Sequence, residues 1–428
     1  MKRWVVLVLL PVLLLSGCAI REVRLPPLRV GILEEIAPMY WNRDRLKSLP
    51  AFDPRSAEPW QVDLRGYDLT PLDLSGRFGD LRHADFDLLT KWPETLPKTF
   101  DVNKVMELGK NPGLGVRSLH ERGVTGKGVA IGIIDQTLLP GHVEYRDQLR
   151  HYEHIEYSNH RASMYGPAVA SIAVGKTVGV APEADLYYIA ATGSVTWGFP
   201  WLRYDRYTWT YRAQAIERLL DINETLPPEK RIRVISISWG AGRTVDGYDK
   251  LVAAIDRAKE NGVFVITCSI SEFYGMSYMG LGRDPFLDPD DPESYRVGQF
   301  LEAQGFGQST MTPDQADRIQ SWLFIPMDSR CTASPTGPND YAFYASGGLS
   351  WSAPYLAGLY ALACQVKPDV TPEDFWEAAS TTATVLPFGH VVDPVKLIEE
   401  VKRPKEGDAG QGLVFESGWG TPDEGVGP

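Results

Sequence analysis

The apolar run Val129-Ala130-Ile131-Gly132-Ile133-Ile134 stops at a carboxylate, Asp135, and that junction constrains the fold more than any other feature of the chain. A continuous apolar run without polar alternation fits a strand buried on both faces of a parallel sheet. Ala184–Ala191, Val234–Gly240 and Val263–Ser269 repeat the pattern. Helices are expected between these runs at Pro167–Val174, Tyr207–Asn223 and Tyr248–Asn261, the last stopped by Asn261-Gly262. Two more are expected later, at Ser352–Val366 and Thr371–Ala379. Such alternation predicts an α/β fold, a parallel sheet with helices on both faces. Ligands and catalytic groups collect at the carboxyl ends of the strands of such sheets. An unpaired buried charge is costly, so a carboxylate at the end of Val129–Asp135 is a candidate site residue.

A second candidate is Ser350, in Gly347-Gly348-Leu349-Ser350-Trp351-Ser352-Ala353-Pro354. The glycines allow a tight approach, and Pro354 is tolerated only in the first turn of the helix that follows. Taken alone, a serine there is equally a helix N-cap. Taken with Gly126-Lys127-Gly128-Val129-Ala130-Ile131-Gly132-Ile133-Ile134-Asp135, in the right order, it resembles the nucleophile and aspartate segments of the subtilisin-like serine peptidases. Gly179-Val180-Ala181-Pro182 and Ser238-Trp239-Gly240 are similar to further segments of that family. The resemblance covers about residues 115–400. It implies a subtilisin-like fold with Asp135 and Ser350 in one site, and Ser238, Trp239 and Gly240 binding an extended peptide through backbone hydrogen bonds. His142, in Gly141-His142-Val143-Glu144, matches a structural segment of the family.

The family pattern places its histidine base in the stretch that reads Tyr165-Gly166-Pro167-Ala168-Val169-Ala170-Ser171 here. Tyr165 therefore stands at the position of the base. A phenol, with an ordinary pKa of about 10, is a donor at neutral pH and a poor proton acceptor. It also lacks the two-nitrogen geometry by which imidazole links an aspartate to a serine. His151, His154 and His160 lie upstream, His160 first among them as a substitute base. The family's oxyanion asparagine is replaced as well, since Ser271 holds its place after Thr267-Cys268-Ser269-Ile270. Losing one oxyanion donor costs about 10²–10³ in turnover and losing the base roughly 10⁶, magnitudes established on subtilisin itself. The expected function is thus a subtilase-fold protein, catalytically impaired, that binds extended peptides or a protein partner. The alternative is an active serine endopeptidase working through Ser350 with a non-standard base.

At the amino end, Lys2-Arg3 precedes an apolar run from Trp4 to Leu15, too short to span a bilayer, which needs about 20 residues. Residues 1–17 are read as a signal peptide. Leu15-Ser16-Gly17-Cys18 resembles the bacterial lipobox, which implies diacylation of Cys18 and a membrane-anchored, extracytoplasmic protein. The formal charge of −12 becomes more negative once Lys2 and Arg3 leave with the signal. An acidic body argues against nucleic-acid binding and leaves membrane attachment to the lipid.

Residues 18–115 are expected to form an irregular extension, ending in a helical stretch from Phe100 to Arg122. Asp63-Leu64, Asp68-Leu69 and Asp73-Leu74 recur at five-residue spacing and hint at a pentapeptide-type coil. Three copies are too few to bury their own faces, so an extended surface segment with repeated turns is expected. The main domain is assigned to 116–400 and a disordered tail to 401–428. The stretch from Ser271 to Asp340 reads as long and irregular. Its Asp284, Asp288, Asp290, Asp291 and Glu293 are of a type that binds calcium, but prolines 285, 289 and 292 favour a solvated loop, and no cofactor is expected. Cys268 and Cys364 read as small buried hydrophobes, with a bridge from Cys331 to either one left open.

Overall fold

The computed structural model describes residues 36–404, apart from 42, 57, 156–160, 192–193, 200–201, 241 and 307–310. The lipobox at Cys18, the signal peptide, His160 and residues 405–428 lie outside the described residues.

The amino-terminal part contains β1 (Val62–Asp63), α1 (Phe78–Leu81), β2 (Ala84–Asp87), α2 (Val102–Lys110) and α3 (Val116–Glu121). The central part runs β3 (Ala130–Asp135), β4 (Leu149–Ile155), α4 (Tyr165–Val174), β5 (Asp185–Ala191), β6 (Ser194–Phe199), β7 (Leu202–Tyr207), α5 (Thr210–Thr225), β8 (Ile232–Ile237), α6 (Tyr248–Glu260) and β9 (Phe264–Thr267). The third part holds α7 (Ser271–Tyr274), β10 (Tyr278–Arg283), β11 (Tyr295–Val297), α8 (Gln299–Glu302), α9 (Pro313–Gln320), β12 (Leu323–Pro326), β13 (Arg330–Ala333) and β14 (Tyr341–Tyr344). After it come α10 (Leu349–Val366), α11 (Pro372–Thr381), β15 (Thr384–Leu386), β16 (Gly389–Val391) and α12 (Pro394–Val401).

The centre is a five-stranded parallel sheet in the order β4-β5-β3-β8-β9. Every residue of β3 is buried, as its apolar run requires. Isoleucines and alanines of α5 and α6 pack on one face in a cluster with Ile134, Ile189 and Ile235. Helices α4 and α10 pack on the other, around Ile131, Ile133, Tyr188 and Trp351. The expected α/β layering, with helices on both faces, is what the chain forms. The edge strand β4, Leu149-Arg150-His151-Tyr152-Glu153-His154-Ile155, escaped the sequence reading because four of its seven residues are charged or imidazole groups.

The 271–340 stretch differs from its sequence reading. It contributes β10, β11 and β12 to a second five-stranded sheet, order β11-β10-β12-β16-β15. These strands are short, and their partners include β16 far along the chain, so no local period announces them. The acidic residues there support backbone or pair with cations. Asp290 accepts hydrogen bonds from the Gly115 amide at 2.8 Å and the Asn111 amide group at 2.7 Å. Asp288 and Asp291 each cap an amide two residues on, and Asp284 pairs with Arg82. Cys268, Cys331 and Cys364 are free thiols.

The Asp-Leu repeats do form a coil, where an exposed segment was expected. Leu64, Leu69 and Leu74 are all buried. Asp63, Asp68 and Asp73 each accept the amide two residues ahead, at 3.2, 3.0 and 3.0 Å, which turns the chain while the next leucine points inward. Neighbouring layers supply what three repeats lack. Leu64, Leu69 and Leu74 donate their amides to the carbonyls of Asp85, Lys91 and Thr95, and Asp68 bridges in parallel to both Arg45 and Lys91. The coil shares a hydrophobic cluster with Phe100, Val105, Cys331 and Phe343. Its strands join the rest of the chain in one sheet, order β1-β2-β14-β13.

Candidate active site

Asp135 closes β3 at its carboxyl end and Ser238 follows β8 alongside it, because Ile134 pairs with Ile237. Ser350 sits in the first turn of α10. Its hydroxyl donates to the Ser238 carbonyl at 3.1 Å, and the Ser238 hydroxyl donates back to the Ser350 carbonyl at 2.9 Å. The sequence permits this approach through Gly348, which enters the helix with φ +79°, a conformation that disfavours other residues.

Tyr165 opens α4 and reaches the same place through its neighbour. A Cβ on Gly166 would lie 2.3 Å from the Thr137 carbonyl oxygen and 2.8 Å from that of Gln136, so only glycine lets the helix start press against the turn after Asp135. Gln136, Tyr165, Ser238, Trp239, Gly240, Cys268, Leu349 and Ser350 line one cleft of about 340 Å³. The tertiary fold thus brings together Tyr165, Ser350 and the expected peptide-binding residues Ser238, Trp239 and Gly240, with Asp135 buried behind Gln136.

The electrostatics are those of a dry site. Burial pushes the Asp135 carboxyl up to about 7, against the pull of the Gln136 amide, which donates to it at 2.7 Å, and of Arg212. Its other oxygen, Oδ2, is buried without a hydrogen-bond partner among the described residues. Burial, reinforced by the charge of Asp135, pushes the Tyr165 phenol up to about 12. The Tyr165 ring packs edge-on to Trp351, 5.6 Å between centroids, and faces Trp60 at 6.3 Å. No hydrogen bond joins its hydroxyl to Asp135 or Ser350 among the described residues.

Ser271 stands apart from this group: it is exposed at the start of α7 and does not line the cleft. The side chain that strand β9 turns toward Ser350 is instead Cys268. Its thiol is hydrogen-bonded with Tyr278 and Ser350 and is pushed up to about 12 by burial, so it is a neutral thiol at physiological pH. The reading of Cys268 as a plain core residue is corrected on this point, since it is half-buried and lines the cleft. Its place at the carboxyl end of a predicted strand was the available signal.

Among the described residues, His142, His151 and His154 are engaged elsewhere. His142 is buried, with Nε2 2.8 Å from the Asp340 carbonyl and Nδ1 accepting the Glu144 amide, consistent with a structural role. His151 lies 3.1 Å from Glu153, itself paired with Arg218, and His154 contacts the Tyr152 hydroxyl at 2.6 Å. Arg212, buried beside the cleft with its guanidinium 3.9 Å from the centroid of the Trp239 ring, was not singled out from sequence.

The parallel α/β sheet thus gathers an aspartate at its carboxyl edge beside a serine at a helix start and a cleft. The Subtilase family model matches residues 126–271, a span that includes Asp135 and Tyr165. A probable subtilase-type serine protease of Deinococcus radiodurans is 26% identical over 326 residues, covering 66% of this chain and 41% of that protein. The subtilisin-like protease PopC of Myxococcus xanthus is 25% identical over 309 residues, covering 64% of this chain and 59% of that protein. Among solved structures, fervidolysin from Fervidobacterium pennivorans, titled a keratinolytic enzyme related to subtilisin, aligns with a TM-score of 0.46 at 16% identity, over 69% of this chain and 47% of that one. Over residues 126–271 the chain is thus similar to the subtilase family, and both relatives carry subtilase-type names. It spans 41% and 59% of the two protein relatives' lengths, less than two thirds of either.

Proposed function

We propose that this chain is a catalytically impaired subtilase of the cell envelope that holds an extended peptide, or an extended segment of a partner protein, beside Ser238, Trp239 and Gly240. One observation carries the reading: the cleft contains a serine hydroxyl that donates to a main-chain carbonyl, and a phenol held near 12, but no described group beside Ser350 that can take its proton at neutral pH. Base catalysis needs an acceptor within about 3 Å of the hydroxyl. The exposed position of Ser271 supports the same reading, because an oxyanion donor has to point into the site. Peptide binding survives such losses, since the edge after β8 offers main-chain groups to an added strand.

The test is labelling of purified protein by a fluorophosphonate, with Ser350→Ala as the blank. Little or no Ser350-dependent labelling is expected, with labelling gained in Tyr165→His, which restores an imidazole between Asp135 and Ser350. Strong wild-type labelling that vanishes in Ser350→Ala would instead favour the active endopeptidase, in keeping with the protease names of both relatives, with His160 the first residue to test as base.

The location is part of the same proposal. The Leu15–Cys18 lipobox supports a diacylated Cys18 on the outer side of the membrane, and Cys18→Ser is expected to move the protein from the membrane fraction to the soluble one. Unchanged fractionation would remove the anchor from the proposal.

A further inference from the structure

The loop from Ala345 to Gly348 delivers Ser350 to the cleft, and it is held from two sides. On one side, Asp328, buried in the main domain, accepts the Gly347 amide at 2.8 Å. On the other, the holders come from the amino-terminal coil. Asp85 of β2 accepts the Ala345 amide at 2.8 Å, and the Ser346 amide lies near enough to the same carboxyl to favour its charge. The indole nitrogen of Trp60 donates to the Ser346 carbonyl at 3.1 Å. Register makes this contact possible: β2 pairs antiparallel with β14 through Phe86↔Phe343 and Asp87↔Ala342, which sets Asp85 opposite the residues leaving β14.

Two further observations indicate that the contact is built rather than incidental. Trp60 adopts φ +57°, a conformation that costs a non-glycine residue about 1 kcal/mol or more and persists only where surroundings enforce it. Its ring is fixed between the Arg65 guanidinium, 5.8 Å from the centroid, and Tyr165. Asp85 is wholly buried, and its amide partners lie in a loop whose two glycines would otherwise be free to rearrange.

We propose that Asp85 and Trp60 are positioning residues for Ser350, and that the amino-terminal coil is a fixed support of the loop before it. They act through the backbone. With Ala345, Ser346 and Gly347 pinned, Gly348 is left one way to turn into α10, and Ser350 meets the Ser238 carbonyl. Burial raises the Asp85 carboxyl above its ordinary range, and its amide analogue keeps nearly the same shape and the acceptor oxygen. Removing the acceptor strands the half-buried Ala345 amide.

Peptide-level hydrogen exchange on the full chain tests this without reference to catalysis or peptide binding. Asp85→Ala is expected to speed exchange across 345–351 by about tenfold or more while amides of β3 stay within about twofold of wild type. Asp85→Asn is expected to match the wild type within about twofold. Trp60→Phe, which keeps the ring but loses the donor, is expected to speed the same segment by about threefold, and it serves if Asp85→Ala does not fold. The proposal is overturned if Asp85→Ala accelerates β3 as much as 345–351, if Asp85→Asn is as disruptive as Asp85→Ala, or if Trp60→Phe leaves the segment unchanged.

Discussion

Strand β3 of the parallel sheet and strand β2 of the coil each carry a buried aspartate toward the same cleft, Asp135 and Asp85, but they come from regions built by opposite chemistry. Around β3 the neighbours are isoleucines and alanines, and the carboxyl has one amide donor and the distant pull of Arg212. Around β2 the interior itself is polar: Asp63, Arg65, Asp85 and Asp87 are buried or nearly so within a shell of leucines and aromatic rings. Arg65 ties this group together. It pairs with Asp63 at 2.8 Å, lies over the rings of Trp41 and Tyr344, and lends its charge to Asp85. The sheet can therefore lose a polar group and relax, whereas the coil depends on its charges being complete.

The largest effect expected from the contrast is at Arg65. Arg65→Ala leaves Asp63 with only Arg43 and removes the cation beside Asp85, and breaking a buried pair of this type costs about 3–5 kcal/mol. Denaturant unfolding followed by tryptophan fluorescence measures it. A cost below about 1 kcal/mol would mean that the charges do not hold the coil together, and a separate early transition would mean that the coil unfolds independently of the sheet.

Next in size is Asp135→Asn, which sharpens the other side of the comparison. Burial raises this carboxyl from its ordinary value near 4 to about 7 in the folded state. The folded protein thus binds that proton more tightly than the unfolded chain, so the stability tied to it is complete below about pH 4 and lost as pH rises toward 7. The always-neutral asparagine is expected to be more stable than wild type at pH 8, by an amount on the order of 4 kcal/mol, with the gain vanishing near pH 4. An equal difference at both pH values would show that Asp135 is not the strained acid described here.

The smallest effect belongs to the apolar sheet. Ile133→Val removes one methylene from a wholly buried site and is expected to cost about 0.5–1.5 kcal/mol, without pH dependence and without change in hydrogen exchange at 345–351. A cost as large as that of Arg65→Ala would erase the distinction between the two regions.

The parts of the site that were readable in advance share a local signature. Asp135 closes an apolar run, Ser350 follows paired glycines and precedes a helix with Pro354 in its first turn, and Tyr165 interrupts an otherwise matching motif. Cys268, Trp60 and Asp85 carry no such signature. Cys268 looks like core until β9 is seen to end at Ser350, and Trp60 and Asp85 lie in a stretch whose repeats seemed too few to fold. The short strands β10 to β12 were invisible for a related reason, since their pairing spans long separations and leaves no period.

By itself, then, the amino-acid sequence determined the parallel α/β core and the placing of Asp135 at a strand end and Ser350 at a helix start, because burial of continuous apolar strands and the backbone demands of glycine and proline act on neighbouring residues. Only the tertiary structure decided that the coil is stable, that its Asp85 and Trp60 hold the loop before Ser350, and that Cys268 rather than Ser271 faces that serine. Those outcomes depend on which distant layers meet, and a buried charge such as Arg65 is favourable only once the partners that neutralise it have been brought into contact.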